Sequence, residues 1–104
     1  MTPVTLTLSC KDLTEANKIA QALLEQHLIA CAKTSAIEST FWWQGKIETA
    51  SEILLTMEST LARFEEIESV VKELHSYELF VLQAHQLMKS STGVEAWIQE
   101  SLRS

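Results

Sequence analysis

The spacing of apolar residues at the start of the chain predicts a strand followed by a helix. Apolar residues from Val4 to Leu8 alternate with threonines, which is typical of a strand with one buried face. Asp12 and Glu15 then form a capping box, the usual start of a helix. The apolar residues that follow recur at helical spacing, so the pattern predicts a first helix that ends near His27.

A long β-hairpin is predicted in the middle of the chain. Residues 28–43 become rich in β-branched and aromatic residues toward their end, and an extended pattern resumes over residues 47–58. Gln44-Gly45 lies between them and suits a two-residue turn. Strands of this length exceed the usual size, so we expect part of the hairpin to extend beyond the helices. That part carries three aromatic residues whose exposure would mark an interface: Phe41, Trp42 and Trp43.

The second half of the chain repeats the helix and the strand. The pattern predicts a helix over residues 60–75, a strand over residues 79–87, and a terminal helix that begins with a second capping box, Thr92 and Glu95. The resulting order, β-α-β-β-α-β-α, is the split β-α-β arrangement of the ferredoxin-like α+β class, with an extra C-terminal helix. The helices would cover one face of the antiparallel sheet, and oligomerisation is the simplest cover for the other. Since this fold supports many activities, it decides no function.

Composition limits the chain to one domain, residues 1–104, and excludes several partners. The chain has 104 residues, of which 46% are hydrophobic, as expected for a single globular domain. Its 14 acidic residues outnumber 8 basic ones, so no basic stripe is present for nucleic acid or an anionic membrane. No apolar run approaches the roughly 20 residues of a membrane helix, and no signal peptide is visible. We therefore expect no nucleic-acid or membrane partner, and a cytoplasmic location.

Two short segments contain residues that can bind a metal. In His75-Ser76-Tyr77-Glu78, the imidazole and the carboxylate are suitable ligands for Zn²⁺ or Cu²⁺. The alternative is a histidine favoured by the dipole at a helix C-terminus, beside a solvated Glu78. Cys31 follows the first helix, and its thiolate would select a soft metal such as Cu(I), although a small buried hydrophobe is the plainer interpretation.

The tip of the predicted hairpin is the third candidate site. Trp43 and Lys46 flank the turn and face the same side, which allows a cation–π contact. We favour the alternative, in which the tip packs against a neighbouring subunit. No nucleophile with a base, and no acid/base pair, follows from the spacing of the remaining residues, so we expect no enzymatic activity.

Several of these motifs recur together in one known family. Four motifs of this chain appear in that family in the same order and spacing: Leu-Ile-Ala-Cys at residues 28–31, Trp-Gln-Gly-Lys-Ile-Glu at 43–48, His-Ser-Tyr-Glu at 75–78 and Trp97-Ile98. In these motifs, over nearly its whole length, the chain resembles the CutA divalent-cation tolerance family. The resemblance implies a tight trimer, similar in shape to the PII signalling proteins, in which long hairpins reach neighbouring subunits. It also implies tolerance of copper and other divalent metals, with no attached enzymatic reaction.

The chain departs from the family pattern around the candidate pocket. Ser76 replaces a proline, the residues after Glu78 lack a second proline and a second carboxylate, and Lys33 and Glu58 replace an asparagine and a lysine. An unbulged hairpin places Lys33 opposite Thr56, with Glu58 as its diagonal neighbour. We therefore expect Lys33 and Glu58 to form a rewired charge pair in one cleft. Two independent solvated charges are the alternative.

Taken together, these observations predict a non-enzymatic homotrimer that acts in the response to divalent metal ions. The candidate cofactor is copper or another divalent metal, bound weakly by Cys31, His75 and Glu78. The expected pocket and interface residues are Lys33, Phe41, Trp42, Trp43, Lys46, Glu58 and Tyr77. The alternative function is a PII-like regulatory or scaffold trimer that binds a small molecule or a partner protein in its inter-subunit clefts.

Overall fold

The computed structural model describes residues 1–103 as an antiparallel sheet packed against helices. The elements are β1 (Pro3–Cys10), α1 (Leu13–Glu25), β2 (Cys31–Trp43), β3 (Lys46–Thr60), α2 (Phe64–Leu74), β4 (Leu82–Gln86) and α3 (Val94–Ser101). A single 3₁₀ turn, Leu61–Arg63, joins β3 to α2. The strand order is β2-β3-β1-β4, and every neighbouring pair is antiparallel. The predicted ferredoxin-like α+β class with an extra C-terminal helix is therefore confirmed.

The hydrophobic core lies between one face of the sheet and helices α1 and α2. Every second residue of β1 is buried, as the alternating sequence predicts. The helices contribute one apolar stripe each, and β3 adds Leu55 and Met57. The fully buried side chains of the cluster include Leu6, Leu8, Ile19, Leu23, Ile67 and Val71.

The long hairpin has the predicted turn and register. Gln44 and Gly45 have φ values of 49° and 79°, the left-handed conformation that a two-residue hairpin turn requires. Trp43 pairs with Lys46, and Lys33 pairs with Thr56, without a bulge. β1 pairs with β3 only from Ile53 onward, so the tip of the hairpin extends past β1. This overhang makes the chain elongated, with extents of 44 × 26 × 21 Å.

Several predicted boundaries are wrong by two to four residues, each for a local reason. α1 ends at Glu25 rather than His27, because His27 adopts a left-handed φ of 57°. α2 begins at Phe64 rather than Thr60, because Thr60 still pairs with Pro3 in the sheet. The last strand begins at Leu82, three residues after its predicted start. The second capping box does not form, since Gly93 is the N-cap of α3 and no side chain caps that helix.

Candidate functional site

His75 ends α2, and the fold uses both nitrogens of its buried imidazole. Nδ1 lies 3.0 Å from the backbone nitrogen of Tyr77, and Nε2 lies 2.8 Å from the carbonyl oxygen of Ser9. Because a backbone N–H can only donate, Nδ1 must accept, and Nε2 carries the proton and donates to Ser9. The His75 ring also stacks on Phe80, with 5.5 Å between ring centroids. In this arrangement neither nitrogen is free to bind a metal.

Glu15 connects the start of α1 to the loop that follows α2. Its Oε1 accepts a hydrogen bond from the Lys11 backbone at 3.0 Å, and its Oε2 accepts one from the Ser76 backbone at 2.8 Å. Oε1 also lies 3.7 Å from Nε2 of His75. Burial alone would raise the pKa of Glu15, but the hydrogen bonds from Ser76 and Lys11 and the nearby imidazole together lower this pKa below its usual value.

The predicted capping box at α1 is therefore only half formed. Asp12 has the extended backbone of an N-cap, and its Oδ1 accepts a hydrogen bond from the Glu15 backbone at 2.9 Å. The Glu15 carboxylate does not return this bond to Asp12. It turns instead to Lys11 and Ser76, so a local capping residue also makes a long-range contact.

Tyr77 fixes the same loop to the hairpin. Its hydroxyl donates a 2.7 Å hydrogen bond to Oε2 of Glu52, a carboxylate residue that is only 8% exposed. Burial, followed by this hydrogen bond and the charge of Glu52, raises the pKa of Tyr77. We call this network, which consists of Glu15, Glu52, His75, Ser76 and Tyr77, the loop clasp.

Cys10 completes a compact cluster beside the loop clasp. Within residues 1–103, one group of three potential metal ligands has all its ligand atoms within 4.8 Å of one another: Cys10, Glu15 and His75. Sulfur, nitrogen and oxygen ligands together would suit a borderline metal. However, burial and the charges of Glu15, Glu52 and Asp12 raise the pKa of Cys10 to about 12, and the thiol points to the carbonyl of Leu8. The observed geometry is that of a hydrogen-bonded core cluster rather than of an open metal site.

Cys31 lies away from this cluster, on the other face of the sheet. It pairs with Glu58 across β2 and β3, and Glu58 accepts a 3.0 Å hydrogen bond from the hydroxyl of Thr5. Burial and then the charge of Glu58 raise the pKa of Cys31, while Lys33 opposes the shift. Among residues 1–103, Lys33 and Glu58 form no ion pair within 4.0 Å, although both charges lie beside Cys31. Cys31, His75 and Glu78, the predicted ligands, do not converge within one chain.

An open cavity of about 470 Å³ lies between the hairpin and the loop after α2. Six of the lining side chains are Phe41, Trp43, Glu48, Tyr77, Glu78 and Leu79. Three predicted pocket or interface residues, Phe41, Trp43 and Tyr77, thus line one cavity, together with Glu78. Trp42 pairs with Ile47, points to the opposite side of the hairpin and is 72% exposed.

Sequence reasoning missed Cys10, Glu15, Glu48 and Glu52 as parts of these sites. The capping position of Glu15 was a visible signal, but it predicted only a local role. Glu52 and Tyr77 are separated by 25 residues, and Ser9 and His75 by 66, so no spacing rule links them.

The architecture defines this chain as a ferredoxin-like α+β protein with an overhanging hairpin and a clasped loop after its second helix. The family model described as CutA1 divalent ion tolerance protein matches residues 4–101, which is almost the entire chain. The chain therefore belongs to the CutA divalent-ion tolerance family, as its motifs indicated.

Individual relatives agree with this assignment. The divalent-cation tolerance protein CutA of Archaeoglobus fulgidus is 35% identical over 95 residues, covering 91% of this chain and 93% of the relative. The CutA protein of Thermococcus kodakarensis is 31% identical and covers 88% of each chain. The solved Archaeoglobus fulgidus structure superposes with a TM-score of 0.94 at 33% identity, covering 97% of this chain and 99% of that one. CutA1 from the psychrotrophic bacterium Shewanella sp. SIB1 gives a TM-score of 0.92 at 26% identity, covering 98% and 96%.

One solved relative carries information on location. The Archaeoglobus fulgidus structure is described as that of a periplasmic protein. Within residues 1–103, no helix is both long enough and apolar enough to cross a membrane. The predicted cytoplasmic location therefore stays a prediction.

Proposed function

We propose that this CutA-family chain acts as a homotrimer in the response to divalent metal ions and catalyses no reaction. The observation that supports assembly is the overhanging hairpin, which exposes apolar side chains on both of its faces. Trp42 and Ile47 are 72% and 63% exposed on one face, and Trp43 is 43% exposed on the other. Apolar patches of this kind are typical of interfaces between subunits. A second copy of the chain is their simplest cover.

The sheet gives a second argument for assembly. Helices α1 and α2 pack on the face that carries Leu6 and Leu8. The opposite face carries Cys31, Lys33 and Thr56, none of which is buried in the single chain. Packing of this face against neighbouring subunits would complete the burial of the sheet.

Metal binding through Cys31, His75 and Glu78 is the molecular part of the proposal, and since these residues do not converge within one chain, the site needs ligands from more than one subunit. The geometry gives a reason for weak binding, since His75 must release a hydrogen bond to Ser9 or Tyr77 before a nitrogen is free. Cys31 must also lose a proton that its surroundings retain, because its pKa is raised. We therefore expect copper affinity to increase with pH as the thiol deprotonates.

Two measurements test the proposal. The mass of the assembly in solution, from light scattering or native mass spectrometry, should correspond to three chains, and a stable monomer would contradict the proposal. Calorimetric titration with Cu²⁺ should then show weaker binding in Cys31→Ser, in Glu78→Gln and in His75→Ala than in the wild type. His27→Ala is the matched control, because the ring of His27 also hydrogen-bonds a backbone carbonyl, that of Ser101. Equal copper affinity in all four variants would overturn the proposed ligands.

A second candidate function is a regulatory or scaffold trimer of the PII-like kind. The cavity between the hairpin and the loop favours this candidate, because about 470 Å³ is a normal size for a small-molecule site. In this case the cavity would bind a small molecule, and metal response would be an indirect effect.

A cytoplasmic location is part of the same proposal. Two free cysteines are compatible with a reducing compartment. Fractionation of cells into cytoplasm and cell envelope tests it, and recovery outside the cytoplasm would contradict it.

A further inference from the structure

We propose that the hydrogen bond between Tyr77 and Glu52 sets the direction in which the hairpin leaves the sheet, and that contact between subunits depends on this direction. Tyr77 is therefore a positioning residue, which acts on the neighbouring chain through the hairpin. This inference rests on the proposed assembly and names the residue pair that prepares a single chain for it.

The hairpin leaves the sheet at one row of residues. β1 pairs with β3 only as far as Ile53, opposite Cys10, while β2 continues to pair with β3 up to the turn. Residues 37–52 therefore form a two-stranded ribbon, and within residues 1–103 no third strand pairs with it. Ribbons of two strands twist more than larger sheets and are only marginally stable alone. The direction of this ribbon thus needs support from outside its own hydrogen bonds.

Glu52 lies at the base of the ribbon, in the first row beyond the sheet. It is 8% exposed, and it is the only buried residue of the ribbon. Its Oε2 accepts the 2.7 Å hydrogen bond from the Tyr77 hydroxyl. Within residues 1–103, no other side-chain hydrogen bond connects the ribbon to the rest of the molecule, since that between Ser51 and Glu38 lies inside the ribbon. A hydrogen bond to a carboxylate is stronger than one between neutral groups, so this single contact gives firm support.

The tyrosine end of this hydrogen bond is fixed to the body of the molecule. The backbone N–H of Tyr77 donates to Nδ1 of His75 at 3.0 Å, and Nε2 of His75 donates to the carbonyl of Ser9 at 2.8 Å. Ser9 is next to the last residue of β1, beside the point where the ribbon begins. Tyr77 is therefore held by the same strand end from which the ribbon departs, and its hydroxyl is a fixed reference for Glu52.

The length of the ribbon amplifies any change at its base. Its first strand runs from Ile37 at the base to Trp43 at the tip, roughly 20 Å at about 3.3 Å per residue. A rotation of about 10° at the base would then move the tip by roughly 3.5 Å. Apolar side chains are in contact only within about 4.0–4.5 Å, so a ribbon that swings this far would lose the contacts of Trp43 with a neighbouring chain. A ribbon that is already held in place also avoids part of the ordering cost of association.

The test compares the assembly of Tyr77→Phe with that of the wild type, because phenylalanine keeps the ring and removes only the hydroxyl. Light scattering over a dilution series gives the concentration at which half of the chains have dissociated. We expect Tyr77→Phe to raise this concentration roughly threefold to thirtyfold. Subunit exchange between unlabelled and ¹⁵N-labelled chains, followed by native mass spectrometry, gives the same comparison for an assembly that withstands dilution. Exchange should be faster in the variant.

Further variants separate positioning from a general loss of stability. Ile19→Val removes one buried methyl group from α1 and should destabilise the fold without changing assembly. Glu52→Gln keeps a carbonyl oxygen that can accept from Tyr77, so it should assemble more tightly than Glu52→Ala, which has no acceptor. Combining Tyr77→Phe with Trp43→Ala tests the route, because the effect of Tyr77→Phe on assembly should be smaller when the tip contact is already lost.

Each result decides a different point. If Tyr77→Phe dissociates and exchanges subunits as the wild type does, or if Ile19→Val shifts assembly equally, the positioning role is overturned and the proposed assembly stands. Equal assembly of Glu52→Gln and Glu52→Ala would mean that the hydrogen bond is not the support. Equal effects of Tyr77→Phe with and without Trp43→Ala would mean that it does not act through the hairpin tip. A wild-type protein that is a single chain at every concentration would overturn the proposed assembly and, with it, this inference.

Discussion

Single side chains hold the loop after α2 to distant parts of the molecule. Tyr77 reaches Glu52 on the hairpin, while His75 reaches Ser9 at the end of β1. Glu15 accepts from Ser76 across 61 residues of sequence. The residues that resemble metal ligands already have hydrogen-bond partners within the chain, so their main contribution is to the stability of the fold.

Tyr77→Phe should lower the free energy of unfolding by about 1–3 kcal/mol, because the buried Glu52 carboxylate loses its donor. The pKa of Tyr77 is raised above the usual value of about 10 for a tyrosine, so the contribution of its hydrogen bond is fully present below that pH and is lost as pH rises through the folded-state pKa. Urea unfolding at neutral and at alkaline pH measures both effects. Tyr77 is the single tyrosine of the chain, so the difference between variant and wild type isolates this group. If the difference in unfolding free energy between Tyr77→Phe and the wild type is the same at neutral and at alkaline pH, the proposed role of the Tyr77 hydroxyl is wrong.

Cys10 should be the less reactive of the two thiols. Burial and neighbouring carboxylates raise its pKa to about 12, so almost no thiolate exists in mildly alkaline buffer. In Cys31→Ser, the remaining Cys10 should react with a thiol reagent only after unfolding by guanidinium. Cys10→Ser, which retains the half-buried Cys31, is the comparison protein. Reaction of native Cys31→Ser at the rate of the unfolded chain would show that Cys10 is accessible.

Lys33 and Glu58 should couple weakly. They share a sheet face in the predicted register, but Glu58 already accepts from Thr5 and forms no ion pair with Lys33 within the described residues. A double-mutant cycle of Lys33→Ala and Glu58→Ala, read from the thermal stability of the assembly, should give a coupling of about 0–1 kcal/mol. Strict additivity would mean that Lys33 and Glu58 do not interact. A coupling larger than about 1 kcal/mol would show that assembly buries both charges.

At the scale of elements, the two capping boxes predicted from sequence have different outcomes. Asp12 caps α1 with a 2.9 Å hydrogen bond, whereas α3 has Gly93 as its N-cap and no side-chain cap within residues 1–103. Gly93 has a φ of 92°, which glycine adopts without the cost that another residue would incur there. The backbone at the start of the helix thus decides whether a capping sequence is used.

Asp12→Ala should destabilise the protein by about 0.5–2 kcal/mol, because the N-cap hydrogen bond to Glu15 is lost. Thr92→Ala is the matched control and should change stability by less than about 0.5 kcal/mol, as exposed substitutions usually do. Chemical denaturation of both variants measures the difference. Equal destabilisation by the two substitutions would mean that Thr92 has a role that the structure does not show.

At the scale of the whole molecule, the hairpin determines the shape and the proposed assembly. Its tip extends beyond the sheet partner β1 and carries exposed aromatic residues on both faces. The open face of the sheet adds more surface that a second copy would cover. Shape and exposure therefore favour the same conclusion, an assembly in which the hairpins contact neighbouring chains.

Trp43→Ala should weaken the assembly, because a tryptophan at an interface commonly contributes about 2 kcal/mol or more. This corresponds to an increase of roughly thirtyfold in the dissociation constant. Light scattering over a dilution series measures it, with Trp97→Ala as the control of similar exposure. If both variants dissociate at the same concentration, the hairpin has no special part in assembly.

The sequence by itself determined the elements, their order and the hairpin register. Alternation in β1, the Asp12 cap and the Gln44-Gly45 turn are local features, because each depends on residues a few positions apart. The pairing of Lys33 with Thr56 followed from the two-residue turn and from the alternation of side chains along the strands. A shift of one residue in this pairing would turn every side chain of the strand to the other face of the sheet. The family motifs are also local runs, and the family model confirmed them.

Only the tertiary structure decided the chemistry around His75. The sequence placed an imidazole beside a carboxylate at Glu78, but the fold turned the imidazole to Ser9 and brought Glu15 and Cys10 to it. It also placed Cys31 on the opposite face of the sheet and assembled the cavity from β2, β3 and the loop after α2. Contacts between residues more than 60 positions apart depend on how the helices pack against the sheet, and no local spacing carries that information.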